Sequence, residues 1–284
     1  MLLFKQVETL QRFLTSEKRK GHTIGFVPTM GALHEGHLAL VRKARSENAL
    51  SVCSIFVNPT QFNEASDLDA YPRLPGPDLE ALSSVGNDVV LMPSVEEVYP
   101  TGKGGGAPVD LAGLDEPMEG AFRPGHFAGV AQVVNRLLDI VQPHRLYMGQ
   151  KDYQQAAIIG HLLRETGRPT ELRVHPTIRE ADGLAMSSRN LRLTPDHRER
   201  APIIYRTLQW VREAYLTGEP VPQIEQEALK RLDQPGFRSE YVQIVDGITL
   251  RPAGTPDNHQ IVVACLACWA GSVRLIDNLI LKDN

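Results

Sequence analysis

Residues 27–37, VPTMGALHEGH, set His34 and His37 three positions apart where a strand gives way to a helix. A first helical turn carries both imidazoles on one face. The mouth of such a helix offers unsatisfied N–H groups and the positive end of the helix dipole, which together favour an anion. Gly36 lies between the histidines and removes a Cβ, so a flat ring or a phosphate can come close to the backbone. Two imidazoles beside a row of N–H donors suit charge that develops on phosphate oxygens in a displacement. H-x-G-H alone also admits a helix start with one capping and one solvent-facing histidine. It admits a zinc site less well, since no cysteine or further histidine lies nearby at ligand spacing.

Two further stretches carry charge. In MGQKDYQQ, residues 148–155, Lys151 can reach phosphate oxygens as a mobile point charge. Asp152 suits a ribose hydroxyl or a hydrated magnesium ion. Gln155 falls four residues beyond Lys151 on the same helical face. In EADGLAMSSRN, residues 180–190, Ser187 and Ser188 bring hydroxyls and Arg189 a planar donor fork for phosphate. The Asp182-Gly183 turn would let this segment move as a lid. Taken singly, the same residues read more simply as a helix cap, a solvated lysine and a polar loop.

Residues 57–62, VNPTQF, add the amides of Asn58 and Gln61, able to recognise hydroxyls or carboxylates, and Phe62 as an apolar cover. Arg123 and His126, in RPGHFAG, stand in a loop leading into a helix. Cys265 and Cys268 form a C-x-x-C inside IVVACLACWA, where strand geometry sends the thiols to opposite faces and makes buried, inert groups of them. The chain has no G-x-x-x-x-G-K-[ST] loop, which disfavours a P-loop kinase or ATPase.

The elements that must position these groups alternate. Residues 23–27, 50–57, 89–92 and 145–148 read as strands, and 36–46, 78–84, 127–141 and 153–166 as helices, with a turn at 28–31. Such alternation predicts an α/β fold with a parallel sheet and right-handed crossovers, whose ligands sit beyond the carboxyl ends of the strands. After residue 176 the pattern changes to helical segments at 195–217 and 222–232 and strands at 239–245, 260–268 and 273–277, the last two joined as a hairpin. The expected division is therefore 1–176 and a smaller α+β domain over 177–284. The run 102–108 reads as a surface loop.

The chain has 284 residues, 42% hydrophobic and 23% charged, with a formal net charge of −4. That composition excludes a disordered or fibrous chain, and the absence of a basic excess argues against nucleic-acid binding. The amino-terminal apolar run is too short for a secretory signal, no window suits a membrane helix, and three cysteines fit a reducing, cytoplasmic compartment.

Taken in order, PTMGALHEGH, SIFVNPTQF, DLDAYPR, RPGHFAGV, GQKDYQQ, READGLAMSSRN and RLIDN resemble the pantoate–β-alanine ligase family of the nucleotidyltransferase superfamily, over nearly the full length. The AMSSR segment corresponds to that superfamily's mobile lysine–serine loop, without its lysines. The resemblance implies a Rossmann-like nucleotide-binding domain, with the smaller C-terminal domain as lid, and an AMP-forming ligase. Pantoate is adenylated by ATP with loss of pyrophosphate, and β-alanine then displaces AMP. It implies ATP contacts for Met30, Gly31, Ala32, Leu33, His34, Glu35, Gly36 and His37, with His37 in the proton donor's place. Gly149, Gln150, Lys151, Asp152, Ile178, Met186, Ser187, Ser188 and Arg189 would complete the ATP site. His34, His37, Lys151 and Arg189 are the expected catalytic groups. Gln61, Gln155 and Asn58 would hold pantoate, with Gln61 also at β-alanine. Magnesium as cofactor and a homodimer follow from the same resemblance. Thr60 stands where the family commonly has methionine, and Gln150 where it usually has glutamate. A related adenylyltransferase, which leaves AMP on its product, and a noncatalytic nucleotide sensor are the competing expectations.

Overall fold

The structure is a computed structural model that describes residues 1–61, 68–69, 71–100, 102, 109–253 and 259–283. Phe62 and residues 103–108 of the glycine-rich run lie outside the described residues. The chain divides into two units, the first made of Met1–Asp115, Arg123–Gly149 and Ile158–His175. The second comprises Glu116–Phe122, Gln150–Ala157 and Pro176–Asn284. The expected single break at 176/177 thus meets a partition that also assigns two short earlier segments to the second unit. Within that unit both segments are tied to strands near the carboxyl terminus.

In the first unit six strands, β1 (Leu2–Phe4), β2 (Ile24–Thr29), β3 (Leu50–Ile55), β4 (Val89–Leu91), β5 (Arg145–Gly149) and β6 (Glu171–His175), form one sheet. Their order is β1-β4-β3-β2-β5-β6, and every pairing is parallel. The chain builds outward in one direction from β2 and in the other from β5. The reversal lies between these two strands, which is where such sheets open a ligand crevice beyond their carboxyl ends. Both faces are covered, as a parallel sheet requires. Phe26 joins a cluster with Val130, Val134 and Leu138 of the helix His126–Val141, while the next residue, Val27, joins Val41 and Ala44 of the helix Glu35–Glu47.

The second unit holds the antiparallel sheet β7 (Phe237–Asp246), β8 (Ile261–Ala270) and β9 (Val273–Asp283), in that order. Ile204, Leu208 and Val211 of the helix Ile203–Leu216 pack with Ile244, Val262, Leu266 and Leu275 of the sheet. This α+β unit agrees with the class expected for the carboxyl-terminal part.

Several boundaries differ from expectation, each for a local reason. The short amino-terminal run forms edge strand β1, paired with β4. β2 continues through Pro28 and Thr29 where a turn was expected. Its pairing with β5 ends at Phe26, so the missing Pro28 N–H leaves no gap on that side. The segment 195–217 is two helices, Pro195–Arg200 and Ile203–Leu216, broken at Pro202. β9 runs six residues beyond Asp277, because that carboxylate and the following Asn278 find partners inside the unit.

Candidate active site

The loop leaving β2 at the switch point is held from below by one buried carboxylate. Asp78, in the helix Pro75–Ser84, accepts the N–H of Ala32 at 3.0 Å and of Leu33 at 2.8 Å. The Gly31 N–H donates to Thr29 Oγ1 at 3.2 Å. Ala32 sits at φ 49, a left-handed conformation that a non-glycine residue holds only when its surroundings impose it. The N–H groups of Gly31, Ala32 and Leu33 are therefore committed to the protein. The expected row of backbone donors for phosphate is smaller than the sequence suggested, because a buried carboxylate requires donors of its own.

The histidines complete the loop. His34 is the N-cap of the helix Glu35–Glu47, and its Nδ1 accepts the Gly36 N–H at 3.2 Å. His37 Nδ1 accepts the His34 N–H at 3.3 Å. With both Nδ1 atoms accepting, each neutral ring carries its proton on Nε2. The ring centroids are 4.1 Å apart. A Cβ on residue 36 would lie 2.9 Å from His34 Cε1, so the flat ring that Gly36 admits is the protein's own imidazole. The Glu35 carboxylate pairs with Arg42. His34 is thus a cap, as the blander reading had it, and also half of an imidazole pair.

Still in the first unit, Asn58 is 1% exposed and saturated. Its Nδ2 donates to Thr60 Oγ1 at 2.9 Å, and to Gln61 Oε1 and the Gly129 carbonyl at 3.3 Å each. Its Oδ1 accepts from the Tyr99 hydroxyl at 3.1 Å and from the Thr60 N–H at 3.3 Å. Gly129 is required here: a Cβ would stand 2.4 Å from the Thr60 carbonyl oxygen. Gln61 Nε2 faces Met30 Sδ at 2.8 Å, and its carbonyl accepts from His126 Nδ1 at 2.9 Å. Arg123 Nη1 lies 3.0 Å from His126 Nε2.

In the second unit, Lys151, Ser187 and Arg189 line one recess with Asn190, Arg274 and Asp277. Two stretches 36 positions apart are thereby brought together. Lys151 Nζ lies 3.8 Å from the Asp152 carboxylate, itself half exposed. Ser187 Oγ accepts the Arg189 N–H at 3.3 Å, and Met186 N–H donates to the Ile178 carbonyl at 3.0 Å. Gly183 turns the loop at φ 96, its N–H bonded to the Glu180 carbonyl. Ser188 opens a short 3-10 turn, and Gln155 is half-buried in the helix Tyr153–Glu165. The Arg274 guanidinium forms two bonds of 2.7 Å to Glu119 and is also paired with Glu240, so its charge is already balanced. Cys265 and Cys268 are free and buried in β8.

The sequence reading singled out neither Asp78, Tyr99 and Arg179 nor the roles of Asp277 and Asn278. A clue was the acid–amide pair inside the apolar end of the chain, LIDNLIL. Among the described residues no cluster of three or more His, Cys, Asp or Glu is disposed to hold a metal ion. None of the described helices is long and apolar enough to cross a membrane.

Comparison with known proteins is consistent over the whole chain. The model of a family described as pantoate-beta-alanine ligase matches residues 2–280. A pantothenate synthetase of Herpetosiphon aurantiacus is 45% identical over 282 residues, spanning 97% of this chain and 100% of that one. The crystal structure of pantothenate synthetase from Thermus thermophilus superposes with a TM-score of 0.91 at 42% identity, covering 99% of this chain and 100% of that one. A pantoate-beta-alanine ligase from Francisella tularensis, complexed with beta-gamma ATP and beta-alanine, gives 0.78 at 35% identity over 100% of this chain and 99% of that one.

Proposed function

The chain belongs to the pantoate–β-alanine ligase family, and on that premise we propose that it makes pantothenate from (R)-pantoate, β-alanine and ATP through a pantoyl adenylate. In the first step a pantoate carboxylate oxygen forms a bond to the α-phosphorus as the bond to the bridging oxygen breaks, and pyrophosphate leaves with the electron pair. In the second, the amine of β-alanine attacks the acyl carbon, the acyl–oxygen bond breaks, AMP leaves, and the nitrogen loses a proton. Adenylation exchanges a poor oxide leaving group for a phosphate ester.

The observation that carries this reading is the imidazole pair with both Nδ1 atoms occupied. Each neutral ring then carries its proton on Nε2, the atom from which it would donate to phosphate oxygens as charge develops. In our reading His37 takes the position the family assigns to the proton donor, and hydrogen bonding in the transition state suffices for it. Lys151 and Arg189 supply positive charge to phosphate oxygens, and Ser187 and Ser188 supply hydroxyls. Gln61 and Gln155 recognise pantoate, and Gln61 also meets β-alanine. Asn58 has its polar atoms occupied by Thr60, Gln61, Gly129 and Tyr99, so we assign it to orienting Gln61.

Magnesium would enter on the nucleotide. Asp152, the half-exposed carboxylate beside Lys151, suits an ion that keeps its waters and phosphate ligands. Its chemistry there is neutralisation of phosphate charge. A cytoplasmic homodimer is the assembly and location we propose with this activity.

The test is pyrophosphate release with each substrate omitted in turn. Release should require ATP, magnesium and pantoate, and pantothenate plus free AMP should appear only when β-alanine is added. His37→Ala should slow the first step by about 1000-fold. ATP binding without pantothenate, or a product that retains AMP, would replace this reading with the sensor or the adenylyltransferase.

A further inference from the structure

Strand β9 carries a buried acid–amide pair that the reaction scheme leaves without a task. Asn278 is 2% exposed, and its amide is aimed at the 3-10 turn Gln150–Asp152. Nδ2 donates to the Gln150 carbonyl at 2.9 Å and to the Lys151 carbonyl at 2.7 Å. Oδ1 accepts from Gln150 Nε2 at 3.3 Å. A single side chain thus grips the turn that carries Lys151 by three hydrogen bonds. The glutamine at position 150 matters to the third, since a glutamate there would have no N–H to give.

The adjacent Asp277, also 2% exposed, accepts from Arg179 at 2.6 and 3.0 Å and from the Asn278 N–H at 2.8 Å. Burial pushes the Asp277 carboxyl up and the Arg179 guanidinium opposes that shift. Arg179 also donates to the Gly183 carbonyl at 3.1 Å and the Asn278 carbonyl at 3.3 Å, with its guanidinium 3.8 Å from the centre of the Tyr205 ring. Gly183 is the turn of the loop that ends in Ser187–Arg189. Both cationic segments are therefore referred to the same two residues of one strand. A strand interior is served more cheaply by apolar side chains, so a fully bonded polar pair here marks a demand for position rather than for packing.

We propose that Asn278 is a positioning residue for adenylation, setting Lys151 through its main chain, while Asp277 and Arg179 hold the Ser187–Arg189 loop in register with it. This rests on the ligase reading and deepens it. Adenylation needs the cations aligned on the phosphates; aminolysis of the acyl carbon does not. The two half-reactions therefore separate a positioning role from a general loss of structure.

The experiment compares the full-length wild type with Asn278→Ala, and with Asn278→Ser should the alanine variant not fold, since serine keeps one donor for one carbonyl. Pyrophosphate–ATP exchange with pantoate reports the first half-reaction. Turnover of supplied pantoyl adenylate with β-alanine reports the second. Exchange should fall by about 100-fold, the cost of an ångström-scale misplacement, with aminolysis within about twofold of wild type. In a Lys151→Ala background the same substitution should cost nothing more, because its target is gone. Equal losses in both half-reactions, no loss in either, or a full additional loss without Lys151 would each overturn the proposal. A wild type that makes no pantothenate while exchanging pyrophosphate into ATP with another acid would instead remove the ligase reading and leave the comparison of half-reactions to be made on that acid.

Discussion

The two phosphate-directed regions are held by different means. Around His34 and His37 most restraints are local: Nδ1 of each ring bonds an N–H two or three residues away, and Gly36 gives the first ring its room. A distant support is Asp78, more than forty residues along, which takes the N–H groups of Ala32 and Leu33. Around Lys151 and the loop of Arg189, local bonds such as that from the Arg189 N–H to Ser187 Oγ are joined by distant ones, running to Asn278 and Asp277 across separations of 98 to 128 residues. A short motif can fix the imidazoles nearly alone. The cations need a finished sheet before they have a defined place.

Breaking the distant support in the histidine region should have the largest effect on stability. Asp78→Ala strands the buried Ala32 N–H and the half-buried Leu33 N–H that now donate to its carboxylate, at a cost of about 3 kcal/mol in denaturant unfolding. The unfolding midpoint should drop by about 8 °C. An unchanged midpoint would show that the local bonds suffice and that the two regions differ even more sharply.

A smaller effect is expected from the local restraint itself. Gly36→Ala places a Cβ where His34 Cε1 now sits 2.9 Å away, so the ring must turn while the helix survives. We expect adenylation to slow by about 10-fold, or about 1.4 kcal/mol in the barrier, with stability nearly unchanged. Full activity in this variant would mean that the orientation of the His34 ring is not what the motif protects.

The smallest expected change is none at all, in the sheet that anchors the second region. Burial pushes the Cys268 thiol, and Cys53 in the first unit, up to about 12, and raises Cys265 as well. At pH 8 the native protein should therefore resist a thiol-reactive probe, and all three cysteines should react once it is unfolded. Labelling of Cys265 or Cys268 faster than global unfolding would show β8 opening beside β9, and the distant restraints would then be looser than their distances imply.

Legibility followed the range of the interactions. The alternation of β-branched runs with helix-period segments foretold a parallel sheet, since each strand and helix is patterned by its own residues. His34, His37, Lys151, Ser187 and Arg189 stood out because strand-to-helix junctions and loops announce themselves locally. Asp78 reads as the first residue of a short helix over 78–84, and the strand expected over 273–277 runs on to Asp283. What both readings lack has one origin: a buried polar residue is recognisable only by its partner, and these partners lie far along the chain.

The amino-acid sequence by itself determined the class of fold, the family and the types of group available to an anionic substrate, because periodicity, junctions and ordered motifs are properties of neighbouring residues. Only the tertiary structure decided which N–H groups remain for a ligand, which imidazole nitrogen carries the proton, and that β9 serves Lys151 as well as the loop of Arg189. Those choices are made by hydrogen-bond pairing between segments that meet only after folding, where every buried donor and acceptor must find a partner.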